Sequence, residues 1–238
     1  MTEHETPEYV DLSLPIHDGA PSYPTDPPCV ILPFLTIPEA VANLRTLSMG
    51  SHQGTHLDAP FHFLVDGTTI EQIPLEQTTG PAFLLDLSGR PDRSLLNVDD
   101  FAHLDLRPGD RLVYRLGWDR RLGEPDYFTE MPRLSVAAAE WLVERRLALL
   151  GLDAPTPNPD DSVAVHLALL GAGAVLLEGL ANLDRLRPGR FWLSAAPLRI
   201  VGSDGAPVRA FGSQRSHCRT TNRMAGGPYS TGDGAHRA

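Results

Sequence analysis

The sequence predicts an α/β fold, because short apolar runs of strand length alternate along the chain with segments of helical pattern. Residues 82–87 (AFLLDL), 111–116 (RLVYRL) and 147–152 (LALLGL) are apolar runs that suit strands. One helix is expected from residue 136 to about residue 147, capped by Ser135, and a second is expected to extend to about residue 170, capped by Asp161 or Ser162. This order of elements favours a sheet with helices packed against it.

Further runs suit strands, at residues 9–16, 44–49, 174–178, 191–196 and 198–201. A Ser-Asp-Gly turn at residues 203–205 joins the last of them to residues 207–208. We expect one domain over residues 9–218, preceded by a flexible N-terminus at residues 1–8. Residues 219–238 are rich in Gly, Ser, Thr and Arg without a hydrophobic period, which predicts a disordered tail.

Composition excludes several classes of function. The 238 residues carry a net charge of −10, which argues against nucleic acid or an anionic membrane surface as a partner. No lysine occurs, so a Schiff-base mechanism is excluded. Cys29 and Cys218 form no metal-binding or disulfide pattern. The N-terminus lacks the pattern of a signal peptide and no apolar run is long enough to span a bilayer, so we expect a cytoplasmic protein.

Residues 52–62, HQGTHLDAPFH, are the most informative stretch of the chain. They hold three of the nine histidines, and Gly54 and Pro60 make a helix unfavourable. In an extended segment alternate side chains share a face, which predicts one row formed by His52, Gly54, His56, Asp58, Pro60 and His62. Two imidazoles and a carboxylate are typical protein ligands of a catalytic zinc or manganese ion, and Gly54 would leave room for it. The alternative is a set of unrelated histidines satisfied by hydrogen bonds.

Two distant residues are weaker candidates when the sequence alone is considered. His166 lies among alanines, leucines and valines, which is more typical of a core histidine than of a ligand. Glu178 closes an apolar strand, where a carboxylate must find a positive charge or hydrogen-bond donors. A metal ion would supply that charge.

The stretch HQGTHLDAPFH resembles the signature of the cyclase-like metal-dependent hydrolases, a family that includes bacterial kynurenine formamidases and isatin hydrolases. The similarity runs from about Tyr9 to about Phe211. It implies that His52, His56 and Asp58 bind metal, with Asp58 reaching a second ion, and that His62 is the catalytic acid/base. It also implies a kynurenine formamidase-like fold, in which a mixed sheet curls toward a barrel with helices outside.

The stretch HLALLGAGAVLLEGLANL also resembles the family. Dinuclear members have a histidine and, twelve residues later, a glutamate as ligands of the second metal, and His166 and Glu178 have this separation. Isatin hydrolases are among the relatives that hold one metal and lack the pair. The resemblance therefore implies two divalent ions per chain, zinc or alternatively manganese, bridged by Asp58 and by Glu178.

The loop at residues 17–28 is rich in proline and glycine. In the family it carries a tryptophan before a proline that lines the substrate pocket, and the corresponding residue here is Tyr23, before Pro24. Tyr23 is therefore the expected substrate-binding residue, with an ordinary surface aromatic as the alternative. The irregular segment 117–132 is placed over the entrance of the site, and the loop 153–160 at its border.

The resemblance implies a hydrolase of an amide-like C–N bond, either an arylformamidase or a ring-opening enzyme for cyclic amides. Metal-activated water would attack the carbonyl and His62 would move the protons. One alternative is a cyclase or dehydratase of secondary metabolism that uses the same metal site, and another is a metal-binding protein without activity. A small-molecule substrate and a homodimer or homotetramer are expected.

Overall fold

The structure is a computed structural model that describes residues 8–214. This part of the chain contains thirteen strands and four α-helices. The strands are β1 (Glu8–Asp11), β2 (Val30–Leu35), β3 (Leu44–Ser48), β4 (His56–Asp58), β5 (Thr79–Asp86), β6 (Leu95–Leu96), β7 (Arg111–Arg115), β8 (Arg133–Leu134), β9 (Leu149–Leu152), β10 (Val175–Glu178), β11 (Gly189–Ser194), β12 (Gly205–Pro207) and β13 (Phe211–Gln214). The helices are α1 (Leu75–Thr78), α2 (Val98–Phe101), α3 (Val136–Glu144) and α4 (Ser162–Gly171).

The ends of the predicted domain compare with the structure only in part. Glu8, the last residue of the predicted flexible N-terminus, is already the first residue of β1. Residues 1–7 and the predicted disordered tail, 219–238, lie outside the described residues, as does Cys218. No helix within residues 8–214 is long and apolar enough to cross a membrane.

Nine strands form one mixed sheet in the order β1-β13-β11-β5-β7-β9-β10-β4-β12. Its centre, from β5 through β7 and β9 to β10, is parallel, and the remaining pairings are antiparallel. The central strands are the apolar runs predicted from the sequence. Burial on both faces of a parallel sheet explains why these runs are almost continuously apolar.

The sheet curls so that the chain after β1, at one edge of the sheet, comes close to the chain after β10. Beyond β1, Ser13 forms a bridge with Leu180, which follows β10, and the amide of Ala181 donates to the carbonyl of Leu12 at 2.9 Å. On its other side the amide of Leu12 donates to the carbonyl of Ala210 at 2.9 Å. The sheet is therefore a half-barrel, and the predicted curled mixed sheet is confirmed.

Alternation of side chains along the strands gives the sheet two hydrophobic cores. In β7, Leu112 and Tyr114 lie in the core beneath α3 and α4, whereas Val113 lies in the core inside the curl. The helix α3 begins as predicted, because the Ser135 hydroxyl accepts a hydrogen bond from the amide of Ala138 at 3.1 Å. The helices α3 and α4 thus cover the outer face of the sheet, and this is the side on which the functional residues collect.

Two of the predicted strands differ from expectation. Residues 44–49 do form a strand, β3, but it pairs only with β2 in a separate hairpin outside the main sheet. Residues 198–201 form no strand; the amide of Ile200 donates to the carbonyl of Leu198, and the amide of Ser203 donates to the carbonyl of Ile200. These local turn bonds replace the pairing that the apolar run suggested.

Candidate metal centre

The stretch 52–62 is not extended throughout, so the predicted single strand is wrong. Only His56–Asp58 form a strand; His52 lies in a turn, and Pro60–His62 form a turn of 3₁₀-helix. Gly54 has a φ of 66°, a left-handed conformation that favours glycine, so the glycine serves the backbone turn rather than making room for an ion. The histidines nevertheless converge, because the two turns bend the chain around the short strand.

Strand pairing brings the second half of the site to the first. In the antiparallel pair of β4 and β10, His56 lies opposite Glu178 and Asp58 lies opposite Leu176. Residues directly opposite in a pair, and every second residue along a strand, share one face of the sheet. Leu176 belongs to the core beneath α4, so all these side chains face that helix, which contributes His166.

The five predicted ligands form a compact group, in which His52 is half-buried and the other four are buried. His52 Nδ1 lies 2.7 Å from Asp58 Oδ1, and His56 Nε2 lies 3.3 Å from the same oxygen. On the other side, His166 Nε2 lies 3.7 Å from Asp58 Oδ2 and 3.5 Å from Glu178 Oε1. The second Glu178 oxygen, Oε2, lies 3.6 Å from His56 Nε2. Both carboxylates therefore direct one oxygen toward His56 and the other toward His166.

Backbone carbonyls determine which ring nitrogens can bind an ion. His56 Nδ1 lies 2.9 Å from the carbonyl of Gly54, and His166 Nδ1 lies 2.7 Å from the carbonyl of Ser162. Since a carbonyl can only accept, each Nδ1 carries the proton, and in the neutral ring each Nε2 presents a lone pair to the carboxylates. A second ring nitrogen that donates to a carbonyl is the usual arrangement around a metal-binding histidine.

The donor set fits a divalent cation. Asp58 Oδ2 and Glu178 Oε1 are buried without any hydrogen-bond partner, although buried polar atoms are normally satisfied. Metal–ligand bonds of about 2.0–2.2 Å in a tetrahedral site would place neighbouring ligand atoms about 3.4 Å apart. The separations of 3.3 to 3.7 Å between the Nε2 atoms and the carboxylate oxygens suit this better than they suit hydrogen bonds.

The pKa shifts reflect how closely these charges are packed. Burial raises the pKa of the Glu178 carboxyl, and the charge of Asp58 raises it further. Burial also opposes ionisation of Asp58, yet its close contacts with His52 and His56 hold its pKa well below the usual range. Two buried carboxylates so close together require positive charge nearby, which a divalent ion provides.

His62 lies at the edge of this group and has one acidic neighbour that sequence reasoning missed. Its Nδ1 is 3.0 Å from Asp204 Oδ2, and the same oxygen lies 2.8 Å from His52 Nε2. Burial alone would lower the pKa of His52, but its hydrogen bonds to Asp204 and Asp58 raise the pKa to about 10. Asp204 belongs to a Ser-Asp-Gly turn, whose composition is explained by turn chemistry alone. No signal in the sequence distinguished it.

A cavity of about 260 Å³ opens beside the metal-binding group. Tyr23 lines it, which leaves substrate binding by Tyr23 a prediction, and its ring contacts that of Phe128 edge to face, with the centroids 5.5 Å apart. Leu122 and Tyr127 also line the cavity, which places the segment 117–132 at the site as predicted. Phe63 also lines the cavity, and its ring stacks on that of His166, with the centroids 4.5 Å apart.

The family of the chain follows from its sequence. Residues 10–159 match a family model described as "Putative cyclase". The chain belongs to this cyclase family. The matched region includes the whole stretch 52–62, so the resemblance recognised from that stretch is confirmed. His166 and Glu178 lie beyond the matched residues, and the structure brings them to the same site.

Individual family members match over most of the chain. A kynurenine formamidase of Bacillus cereus is 32% identical over 210 residues, which cover 87% of this chain and 97% of that protein. Isatin hydrolase A from Ralstonia solanacearum is 26% identical and superimposes with a TM-score of 0.79 over 87% of this chain and 92% of its own. A solved structure of a potential metal-dependent hydrolase with cyclase activity is 32% identical. It superimposes with a TM-score of 0.75 over 89% of this chain and 100% of its own.

Proposed function

We propose that this protein is a metal-dependent hydrolase that cleaves an amide-like C–N bond. The observation that carries the proposal is the convergence of His52, His56, Asp58, His166 and Glu178 around unpartnered carboxylate oxygens, with His62 beside them at the cavity. Kynurenine formamidases and an isatin hydrolase are similar to the chain over most of its length, and both names denote hydrolysis of such bonds. The test is release of free arylamine from formanilides by the metal-loaded protein.

Two divalent ions are proposed, with zinc as the first choice and manganese as the alternative. His52, His56 and Asp58 would hold one ion, while His166, Glu178 and the second Asp58 oxygen would hold the other. Bound there, such an ion polarises a carbonyl oxygen and lowers the pKa of a water molecule toward neutrality. The surrounding chain contributes a fixed set of ligands and a cavity with aromatic walls.

His62 is proposed to move the protons of the reaction. Its side chain is 28% exposed and lines the cavity, and the centroid of its ring lies 4.0 Å from that of His52. Since Nδ1 donates to Asp204, Nε2 is the atom left to accept a proton from water and deliver it to the leaving nitrogen. An imidazole suits both steps because its ring nitrogen can accept a proton as a base and donate it again as an acid.

A His62→Ala variant is expected to lose about 10²- to 10⁴-fold in kcat while keeping its metal content. The five proposed ligands are untouched, so metal analysis of the variant should match that of the wild type. His103→Ala, a change at an exposed histidine away from the cavity, serves as the control. Retention of both the metal and most of the turnover would contradict the role of His62.

The walls of the cavity suggest the kind of substrate. Tyr23, Phe63, Tyr127 and Phe128 offer aromatic faces, whereas Asp26 is an acidic residue in the wall beyond the metal-binding group. No arginine occurs among the cavity-lining residues of the described chain. We therefore propose a neutral aromatic amide in preference to one with a free carboxylate. Comparison of plain formanilides with N-formylkynurenine under the same conditions tests this preference.

A cyclase or dehydratase of secondary metabolism is the second candidate, because the family model carries the cyclase description. In such a reaction His62 would move a proton without net addition of water. Mass spectrometry of products formed in H₂¹⁸O separates the two reactions, since only hydrolysis places ¹⁸O in the product. Incorporation into the released acid supports the hydrolase.

We also propose that the chain forms a homodimer or a homotetramer through the hairpin of β2 and β3. The hairpin exposes large apolar side chains, namely Leu32, Phe34, Leu35, Ile37, Leu44 and Leu47. A two-stranded hairpin is only marginally stable alone, and exposed apolar patches of this kind mark interfaces. A groove beside the end of β3 includes the apolar residues Leu47, Leu198 and Ile200. In a two-fold dimer the hairpin of each copy can cover the groove of the other.

A Phe34→Asp substitution is expected to shift the protein toward the monomer by at least about tenfold in the dissociation constant. A charge on this apolar face would have to be buried without a partner in the interface. Sedimentation equilibrium measures the change. Leu95→Asp, at an exposed leucine in β6 away from the hairpin, is the control and should leave the assembly state unchanged. A wild-type chain that is monomeric at micromolar concentration would contradict the proposal.

A further inference from the structure

Asp204 lies in the turn immediately before β12, a strand that pairs with β4. We propose that Asp204 is a positioning residue whose carboxylate orients a metal ligand, His52, and the proposed acid/base, His62, at the same time. The part that concerns His62 rests on the proposed function, whereas the part that concerns His52 needs only that the site binds metal.

The carboxylate of Asp204 is directed at the imidazoles by several contacts. Oδ2 accepts from His52 Nε2 at 2.8 Å and from His62 Nδ1 at 3.0 Å, and Oδ1 accepts from the Ser51 hydroxyl at 2.9 Å. The Ser203 hydroxyl lies 3.5 Å from Oδ1 but makes a shorter bond, 2.8 Å, to the carbonyl of Gly205. The side chain of Asp204 thus contacts the residues of the site. An aspartate is also a common residue in turns, so the sequence alone did not indicate this role.

The backbone of the turn is fixed to the metal-binding strand. The carbonyl of Asp204 accepts from the amide of Ala59 at 2.9 Å, and Gly205 lies opposite Asp58 in the pair of β12 and β4. A Cβ atom at Gly205 would lie 2.7 Å from His52 Cε1, so glycine is required for the ring to reach Asp204. Strand pairing therefore sets the distance between the Asp204 carboxylate and the metal-binding residues in and around β4.

These contacts determine which nitrogen of each ring is available. Because His52 Nε2 donates to Asp204, Nδ1, next to Asp58 Oδ1, is the nitrogen that would give up its proton and bind the ion. When His62 Nδ1 donates to the same carboxylate, His62 Nε2 is free to exchange protons at the cavity. One carboxylate thus sets the tautomers of both rings, and its loss would affect both metal affinity and proton transfer.

The proposal is tested with the full-length Asp204→Asn and Asp204→Ala variants, and with Ser203→Ala as the matched control in the same turn. Zinc affinity is measured by competition with a chromophoric chelator, without turnover. Loss of an outer partner of a metal-binding histidine typically weakens metal affinity about 10- to 100-fold, and we expect this range for Asp204→Ala. The Asn variant, which keeps one acceptor oxygen, should lose less. Ser203→Ala should match the wild type.

A second measurement examines proton transfer to the leaving nitrogen. Formanilides with electron-withdrawing substituents need little help from a general acid, so the variants should hydrolyse them nearly as fast as the wild type at saturating zinc. Unsubstituted formanilide should show a loss of about 10- to 100-fold in kcat with little change in KM. A merely structural role would slow all substrates equally.

The outcomes separate the two proposals. Unchanged zinc affinity in both Asp204 variants, together with a wild-type dependence on the leaving group, overturns the positioning role. A wild-type protein that binds zinc but hydrolyses none of the substrates defeats the proposed function, while the zinc competition still decides the effect on His52. If Asp204→Ala does not fold, the similarly sized Asn variant and the Ser203→Ala control decide the question.

Discussion

An Asp58→Ala protein is expected to bind neither divalent ion tightly and to lose at least about a thousandfold in hydrolytic rate. Asp58 is the residue shared by both halves of the site, because one oxygen lies near His56 and the other near His166. A metal ion contributes several kcal/mol to stabilisation of the transition state, and each 1.4 kcal/mol corresponds to about tenfold in rate. Metal analysis after dialysis and turnover of a formanilide measure the two losses.

The Asp58→Ala result requires controls for charge and for folding. Asp86→Ala removes a carboxylate that pairs with Arg115 in the middle of the same sheet, and it should keep both metal and activity. Asp58→Asn preserves the volume of the side chain at a position that is 1% exposed, so it shows whether the loss comes from the missing charge. An Asp58→Ala protein that retains two equivalents of metal would disprove the shared role.

A His166→Ala protein is expected to bind one equivalent of divalent metal where the wild type binds two. His166 Nε2 lies near Asp58 Oδ2 and Glu178 Oε1, two buried oxygens without hydrogen-bond partners, whereas His52 and His56 lie on the other side of Asp58. The remaining ion keeps its ligands, so we expect activity to fall by about 10- to 100-fold rather than to vanish, since one ion still polarises the carbonyl. Titration with zinc, followed by calorimetry, counts the sites.

The control for His166→Ala is Phe63→Leu, which removes the aromatic ring stacked on His166 but leaves every ligand in place. This variant should still bind two equivalents. A wild-type chain that binds a single equivalent would contradict the second site directly. A His166→Ala chain that still binds two would show that Asp58 and Glu178 suffice without the histidine.

Local patterns in the sequence predicted the central strands well, because residues such as Leu112 and Leu150 are buried on a sheet with covered faces. The convergence of His52, His56 and Asp58 was also predicted, although the assumed single strand was wrong. The three side chains still meet in the structure, because turns on either side of the short strand β4 take the place of the ends of the predicted strand.

Contacts between residues far apart in the sequence could not be predicted from local sequence patterns. Asp204 is 152 residues from His52 and 142 from His62, and its turn residues are common in any loop. His166 and Glu178 were recognised as ligands only through the family resemblance, since their surroundings in the sequence are those of a hydrophobic core. The strand assigned to residues 198–201 failed because an apolar run without clear alternation does not distinguish a strand from an exposed turn.

The pairing of β4 with both β10 and β12 also bears on how the molecule assembles. The ligands come from segments more than a hundred residues apart, so the chain must close loops of this length before the full ion site exists. A bound metal ion would therefore stabilise the native state more than the transition state of folding, and we expect it to slow unfolding more than it accelerates folding.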